Sequence, residues 1–308
     1  MDAVVIGAGV SGLTTAVTLL RAGYRVRVLA DRPPGETTSA AAGASWGPYM
    51  ADHREAMGWS NFTRKIFEEL AESPAATGIQ IIGGIEAAPK HVEVPDWALR
   101  LAGFRLCEPS ELPVGYVIGW WAKLPVLDMP VYLRYLAGVL ARGGVTIEHV
   151  RVSHLDIAPL VVNCAGARAG ELTGDPELEP TKGQLVVVRN PGVTEYFQDH
   201  LEAEDLTYFI PHGDVVVLGG CARKYDTSTE YNRDDAEAIL KRCARVDPRL
   251  ATAEIIEHRA GVRPNRHTVR LEKETTARGN TIIHNYGHGG AGVTMSWGCA
   301  QRVLELLG

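Results

Sequence analysis

Three features of this 308-residue sequence predict an α/β protein in which a Rossmann-like nucleotide-binding domain is interleaved with a strand-rich second domain. The amino end, "DAVVIGAGVSGLTTAVTLLRAGYRVRVLADR", reads as strand, glycine turn, amphipathic helix and strand. The glycine-rich "HNYGHGGAGVTMSWG" opens an apolar helical run near the carboxyl end. Between them lie segments rich in β-branched residues that resemble no βα repeat. Nucleotide-type pieces at both ends, with strand-rich inserts between, imply interleaved rather than consecutive domains. The expected division assigns 1–75, 127–180 and 259–308 to the first domain, and 76–126 and 181–258 to the second.

Residues 3–6 are a short apolar run, as a buried strand requires. Leu13, Ala16, Leu19 and Leu20 recur at helical spacing, Gly23 ends that helix, and "RVRVLA" alternates as the next strand. The unit has about 30 residues, the length a βαβ unit needs. Residues 32–49 are small and aperiodic. "REAMGWSNFTRKIFEELAE" (54–72) reads as a helix, and 78–126 is rich in strand formers, prolines and tryptophan. "DMPVYLRYLAGVLARGGVTIEH" gives helix then strand, and "PLVVNCAGARAGEL" gives strand, turn and helix. "GQLVVVRN", "LTYFIP" and "DVVVLGG" read as further strands. A helix near 234–245, a strand near 253–258 and a last helix from about 292 to 307 complete the chain.

Hydrophobic residues make up 45% and charged residues 22%, an ordinary globular composition. Lys plus Arg number 31 against 37 Asp plus Glu, a formal charge of −6 without a basic block. That balance gives no reason to expect nucleic acid or an anionic membrane as partner. No apolar run approaches the roughly 20 residues of a membrane span. The opening "MDAVVIGAG" lacks the pattern of a secretion signal and the end lacks a peroxisomal tripeptide, so the cytoplasm is expected. The five cysteines are widely spaced without C-x-x-C, which argues against a zinc site or redox dithiol; no metal is expected.

Gly7, Gly9 and Gly12 form G-x-G-x-x-G between strand and helix. The first permits the tight turn, the second admits a pyrophosphate to the backbone, and the third lets the helix lie on the sheet. The helix N-terminus offers N–H groups and partial positive charge to the phosphates. Asp31, at the end of the second strand, is placed to accept from an adenosine ribose hydroxyl. The strand-rich inserts and the late glycine-rich helix favour a cofactor longer than NAD, reaching across the chain. Gly292, Val293 and Thr294 open that helix, where free N–H groups suit the negative charge an isoalloxazine collects on reduction.

Several stretches, in order, carry a specific resemblance: "VVIGAGVSGL", "ADR" (30–32), "TT" (37–38), "AAGASWGPY" (41–49), "VVNCAGARAG" (161–170), "GVRPNRHTVRLE" (261–272) and "HNYGHGGAGVTMSWGCA" (284–300). From end to end the chain resembles the D-amino acid oxidases, an FAD-dependent family related to D-aspartate oxidase and, more distantly, to glycine and sarcosine oxidases. The resemblance implies an FAD-binding domain interleaved with a substrate-binding domain. It implies oxidative deamination of a D-amino acid by hydride transfer from Cα to flavin N5, with reoxidation by O2. Arg263 matches the arginine that grips the substrate carboxylate, and it is counted among the cofactor contacts as well. Tyr208 matches the tyrosine that binds the same carboxylate, and Gly290 the glycine whose carbonyl accepts from the amine. Cofactor contacts are implied for Val10 and Ser11 beside the glycines, and for Arg32, Thr37 and Thr38 after Asp31. Gly43 and Ser45 follow, then His288, Gly289 and Gly290 ahead of the last helix. His288 is expected at the flavin edge or closing the turn, since hydride transfer needs no base at carbon. Trp46, with no accompanying charge, is expected near the cofactor. A homodimer is a possible assembly.

Three positions depart from well-known members. Glu204 stands where vertebrate members carry a lid tyrosine. Gly47 replaces a glutamine, which predicts a roomier pocket. Ala222 replaces the arginine that D-aspartate oxidases use for a second carboxylate, and Arg223, one step on, should point to the other face of its strand. Neutral substrates are therefore expected, with D-aspartate or another amine acid as the alternative.

Overall fold

The structure is a computed structural model that describes residues 1–49, 53–199 and 205–308. Two sheets organise it. The first has six strands in the order Arg270–Thr275, Thr281–Tyr286, Leu160–Asn163, Asp2–Ile6, Arg25–Ala30, Ile147–His149. Its strands are parallel except for the edge hairpin 270–286. Val5 stands opposite both Val28 and Val162, so three valines meet in the sheet centre as parallel strands buried on both faces demand.

The helices end where their sequences direct. The first, Val10–Arg21, is closed by Gly23 at φ +87°. Met129–Arg142 begins with Asp128 accepting from the Val131 N–H, and Arg233–Val246 with Asn232 accepting from the Asp235 N–H. The helix expected at 54–72 occupies Ala56–Leu70, and the last runs Gly292–Glu305.

The second sheet has ten strands and is antiparallel, except that Tyr196–Asp199 lies parallel to Ile79–Ala88. It takes in Ala44–Ser45, from the aperiodic stretch, and a long strand Ile255–Asn265 paired with Glu179–Arg189. That long strand crosses the boundary expected at residue 258 and carries Arg263 into the second sheet. One core, with Leu13, Val28, Ile79, Leu124, Tyr132 and Trp297 among its members, joins the two sheets. A second core packs helix Arg233–Val246 against the outer face of the second sheet. No helix among the described residues is long and apolar enough to cross a membrane.

Candidate active site

At the amino end, Gly7 has φ +107°, a conformation that L side chains rarely adopt. A β-carbon there would overlap the Cys164 carbonyl, and one at Gly12 the carbonyl of Gly7, so turn, helix and sheet touch through bare backbone. Gly9 is the N-cap of helix Val10–Arg21 and supplies no side-chain cap, and the first turn holds no acid. The Val10 N–H donates to Ser39 Oγ at 3.0 Å, a partner the sequence did not single out. Helix Gly292–Glu305 is likewise uncapped and free of acid in its first turn, whereas Met129–Arg142 and Arg233–Val246 carry side-chain caps. Two helix N-termini left without a carboxylate suit an anionic group such as a pyrophosphate or a reduced flavin ring.

Asp31 ends its strand, and its carboxylate accepts from Arg168 Nη1 at 3.1 Å across 137 positions of sequence. Arg32 follows it directly. Thr37 is turned inward on its own loop, donating to the Pro34 carbonyl. The Thr38 hydroxyl donates to the Val262 carbonyl (3.1 Å) and accepts from the Val262 N–H (3.2 Å), which pins the loop to the strand of Arg263. Thr294 does the same for Gly47: its hydroxyl donates to the Gly47 carbonyl at 3.0 Å and faces the Gly47 N–H at 3.2 Å. Neither threonine hydroxyl is therefore idle.

The glycine-rich loop lies beside the strand of Arg263, with the Gly289 N–H donating to the Pro264 carbonyl at 3.0 Å. Gly287 and Gly289 have φ +83° and +54°. Gly290 is exposed at the tip, ahead of Gly292 and Val293. His288 is 4% exposed and its Nε2 has no hydrogen-bond partner. Burial pushes it down to about 4, so the ring is neutral at neutral pH. A buried, unpartnered ring nitrogen at a helix mouth fits a neighbouring polar cofactor edge.

Pairing in the second sheet aligns the remaining residues. Leu185, Gly219, Tyr208, Gln198, Glu86 and Trp120 are successive cross-strand partners and so share one face. Arg263 pairs with Thr181, two alternations from Leu185, and projects from that same face. Its guanidinium lies over Gly183, where a β-carbon would come within 2.5 Å, and donates to the Cys221 carbonyl at 2.9 Å. The Tyr208 ring lies over Gly219 in the same manner. Burial pushes the Tyr208 hydroxyl up to about 12 against the opposing pull of Arg263, so it remains a donor.

The segment 43–49 crosses this face. Gly43 lies against Tyr208, Val217 and Leu185, Ser45 donates to Gln198 Oε1 at 3.3 Å, and Tyr49 donates to Glu86. Burial raises the Glu86 carboxyl to about 7. Glu86, Gln198 and Tyr49 were not picked from sequence; the signal available was an acid and an amide within apolar strands.

One expectation, and the premise of another, are corrected. The room expected at Gly47 is filled by the Tyr49 ring, which a β-carbon at Gly47 would overlap. Trp46 does have a charge beside it: the Arg64 guanidinium lies 5.3 Å from its ring centre, and Trp46 is a core residue at 1% exposure. Arg223 pairs with Lys182, on the face away from Arg263, and bonds Asp205 at 2.7 Å and Asp235 of the covering helix. Glu204 lies outside the described residues. All five cysteines are free, and no group of three or more His, Cys, Asp or Glu among the described residues could hold a metal ion.

These features define a flavin-type oxidoreductase, and the FAD dependent oxidoreductase family model matches residues 2–306. The chain belongs to that family and is an FAD-dependent enzyme. It is 44% identical to a D-amino-acid oxidase of Rubrobacter xylanophilus, over 99% of this chain and 95% of the relative. It is 32% identical to the human D-aspartate oxidase, over 98% and 93%. Its fold is that of the glycine oxidase of Bacillus cereus, with a TM-score of 0.82 at 20% identity over 99% and 94%.

Proposed function

We propose that the protein oxidises neutral D-amino acids to 2-oxo acids, releasing ammonia and forming hydrogen peroxide from O2. The observation that carries this reading is the shared face of Arg263 and Tyr208, both laid over glycines, beside the loop of Gly290. Arg263 offers two parallel N–H donors to the two oxygens of a carboxylate. Tyr208 adds a hydroxyl that stays protonated, and the exposed Gly290 backbone leaves a carbonyl open to the amine. FAD, when bound, supplies the hydride acceptor and passes the electrons to O2. The chain's part is to align the substrate α carbon, and no side chain has to take a proton from it.

The residues that would hold FAD are the uncapped turn Gly7–Gly12 with Val10 and Ser11, Asp31 with Arg32, the loop of Thr37 and Thr38, and Gly43 with Ser45. At the other end stand His288, Gly289 and the mouth of the last helix at Gly292, Val293 and Thr294. Neutral substrates are favoured because Arg223 is held by two acids on the far face, away from a second carboxylate. Anaerobic mixing of the yellow protein with D- and L-amino acids tests the reading. Bleaching by D-Ala or D-Val and not by their L-forms is expected. Bleaching by L-forms, or by D-Asp as readily as by D-Val, would count against it.

A further inference from the structure

The row of residues facing the substrate does not stop at Tyr208. It continues away from Arg263 through Gln198 to Glu86 and Trp120, each one strand further on, at about 4.8 Å per strand. A substrate whose carboxylate lies between Arg263 and Tyr208 and whose side chain follows this row would extend toward Glu86. The segment 43–49 roofs the same strands, and its last residue is Tyr49.

The Tyr49 ring is held from several sides. It covers the bare backbone of Gly47, and it meets the Trp97 ring edge-on at 5.1 Å between centroids. Its hydroxyl donates to Glu86, which is 1% exposed. Gly47 is itself fastened to Thr294 at the mouth of the last helix, so the ring cannot retreat with its segment. The Tyr49 hydroxyl and the buried Glu86 carboxyl hold each other in place, with the Trp120 indole as a second neighbour of the acid.

We infer that Glu86 is a positioning residue that fixes Tyr49 as the end wall of the side-chain pocket, restricting the enzyme to short side chains. This deepens the reading of a D-amino acid oxidase and rests on it. The glycine at 47 then does not enlarge the pocket; it makes room for a ring that closes it.

Steady-state kinetics of the holoenzyme with D-Ala, D-Val and D-Phe, alongside flavin bleaching, test this. Wild type should prefer D-Ala to D-Phe, and Glu86→Ala should shift the D-Phe to D-Ala ratio of kcat/KM by about tenfold toward D-Phe, mostly through KM. Glu86→Gln keeps an oxygen that can accept from Tyr49 and should restore the wild-type ratio. Tyr49→Phe removes only the hydroxyl and should move the ratio the same way by a smaller factor. It carries the test alone if Glu86→Ala fails to fold. An unchanged ratio in the folded variants, with D-Ala still bleaching the flavin, overturns the inference. A wild type that no D-amino acid bleaches overturns the functional reading and this one together.

Discussion

The two faces of the second sheet are built from alternate residues of the same strands, yet they differ in kind. Under helix Arg233–Val246, Val186, Val188, Val216, Leu218, Phe197 and Phe209 pack with Ala236, Ile239 and Cys243. One residue along each strand, the other face presents Tyr208, Gln198 and Glu86, with glycines at 183 and 219. The first face excludes water and holds the sheet; the second keeps donors and acceptors in a row. Because the side-chain period is two, a one-residue slip would exchange them. Substitutions at neighbouring positions should therefore separate into binding effects and stability effects.

The sharpest break is Arg263→Ala. A substrate carboxylate taken out of water without its partner costs about 3–5 kcal/mol, so kcat/KM for D-Ala should fall by at least two decades. Rates are taken per bound flavin, measured by absorbance, so that any lost cofactor contact is separated from the lost clamp, and the fold is checked by thermal unfolding. Turnover near the wild-type rate would remove Arg263 from the clamp.

Leu218→Ala touches the opposite face, next to Gly219. It is fully buried, and its truncation should cost about 2–5 kcal/mol of stability. The urea midpoint should drop while KM for D-Ala is unaltered. A changed KM with unchanged stability would mean that the two faces are not separable.

His288 sharpens the contrast through pH. Burial holds its folded value near 4, below the ordinary 6.5, so the unfolded chain binds the proton more readily. Stability from the neutral ring is complete above about pH 6.5 and is lost as pH falls toward 4. His288→Gln should flatten that decline in urea midpoints measured on the holoprotein between pH 7 and 5. Glu86, raised to about 7, titrates with the opposite sign in both proteins, so their difference isolates His288. Identical slopes would show that the ring is not buried as described.

The smallest effect expected is from Tyr208→Phe. Losing one neutral donor while Arg263 remains should cost about 1 kcal/mol in kcat/KM. A loss as large as that of Arg263→Ala would make the tyrosine the principal anchor.

Much of the nucleotide end was legible in the sequence because its signals are local. The glycines at 7, 9 and 12 act within one turn, and the periodicity from Leu13 to Leu20 is a property of one helix. The last helix was equally plain from its glycine-rich mouth. The substrate end was less legible. "GQLVVVRN" and "DVVVLGG" are nearly continuous apolar runs, as strands buried on both faces must be, and such runs do not reveal which residue faces the site. Family resemblance supplied Arg263 and Tyr208, but an acid in an apolar strand did not by itself reveal the role of Glu86, whose partner Tyr49 is 37 positions away. The long strand Ile255–Asn265 was foreseen only in part, because Pro264 and charged residues interrupt its pattern.

By itself, then, the sequence determined the βαβ unit, the two glycine-rich helix mouths and the step that turns Arg223 from the site, all consequences of spacing along one element. Tertiary structure alone decided that Gly183 and Gly219 would lie beneath Arg263 and Tyr208, that Arg168 would meet Asp31, and that Tyr49 would fill the room at Gly47. These depend on register between strands and on loops crossing a sheet, and a residue's own neighbours in sequence exert no force that sets either.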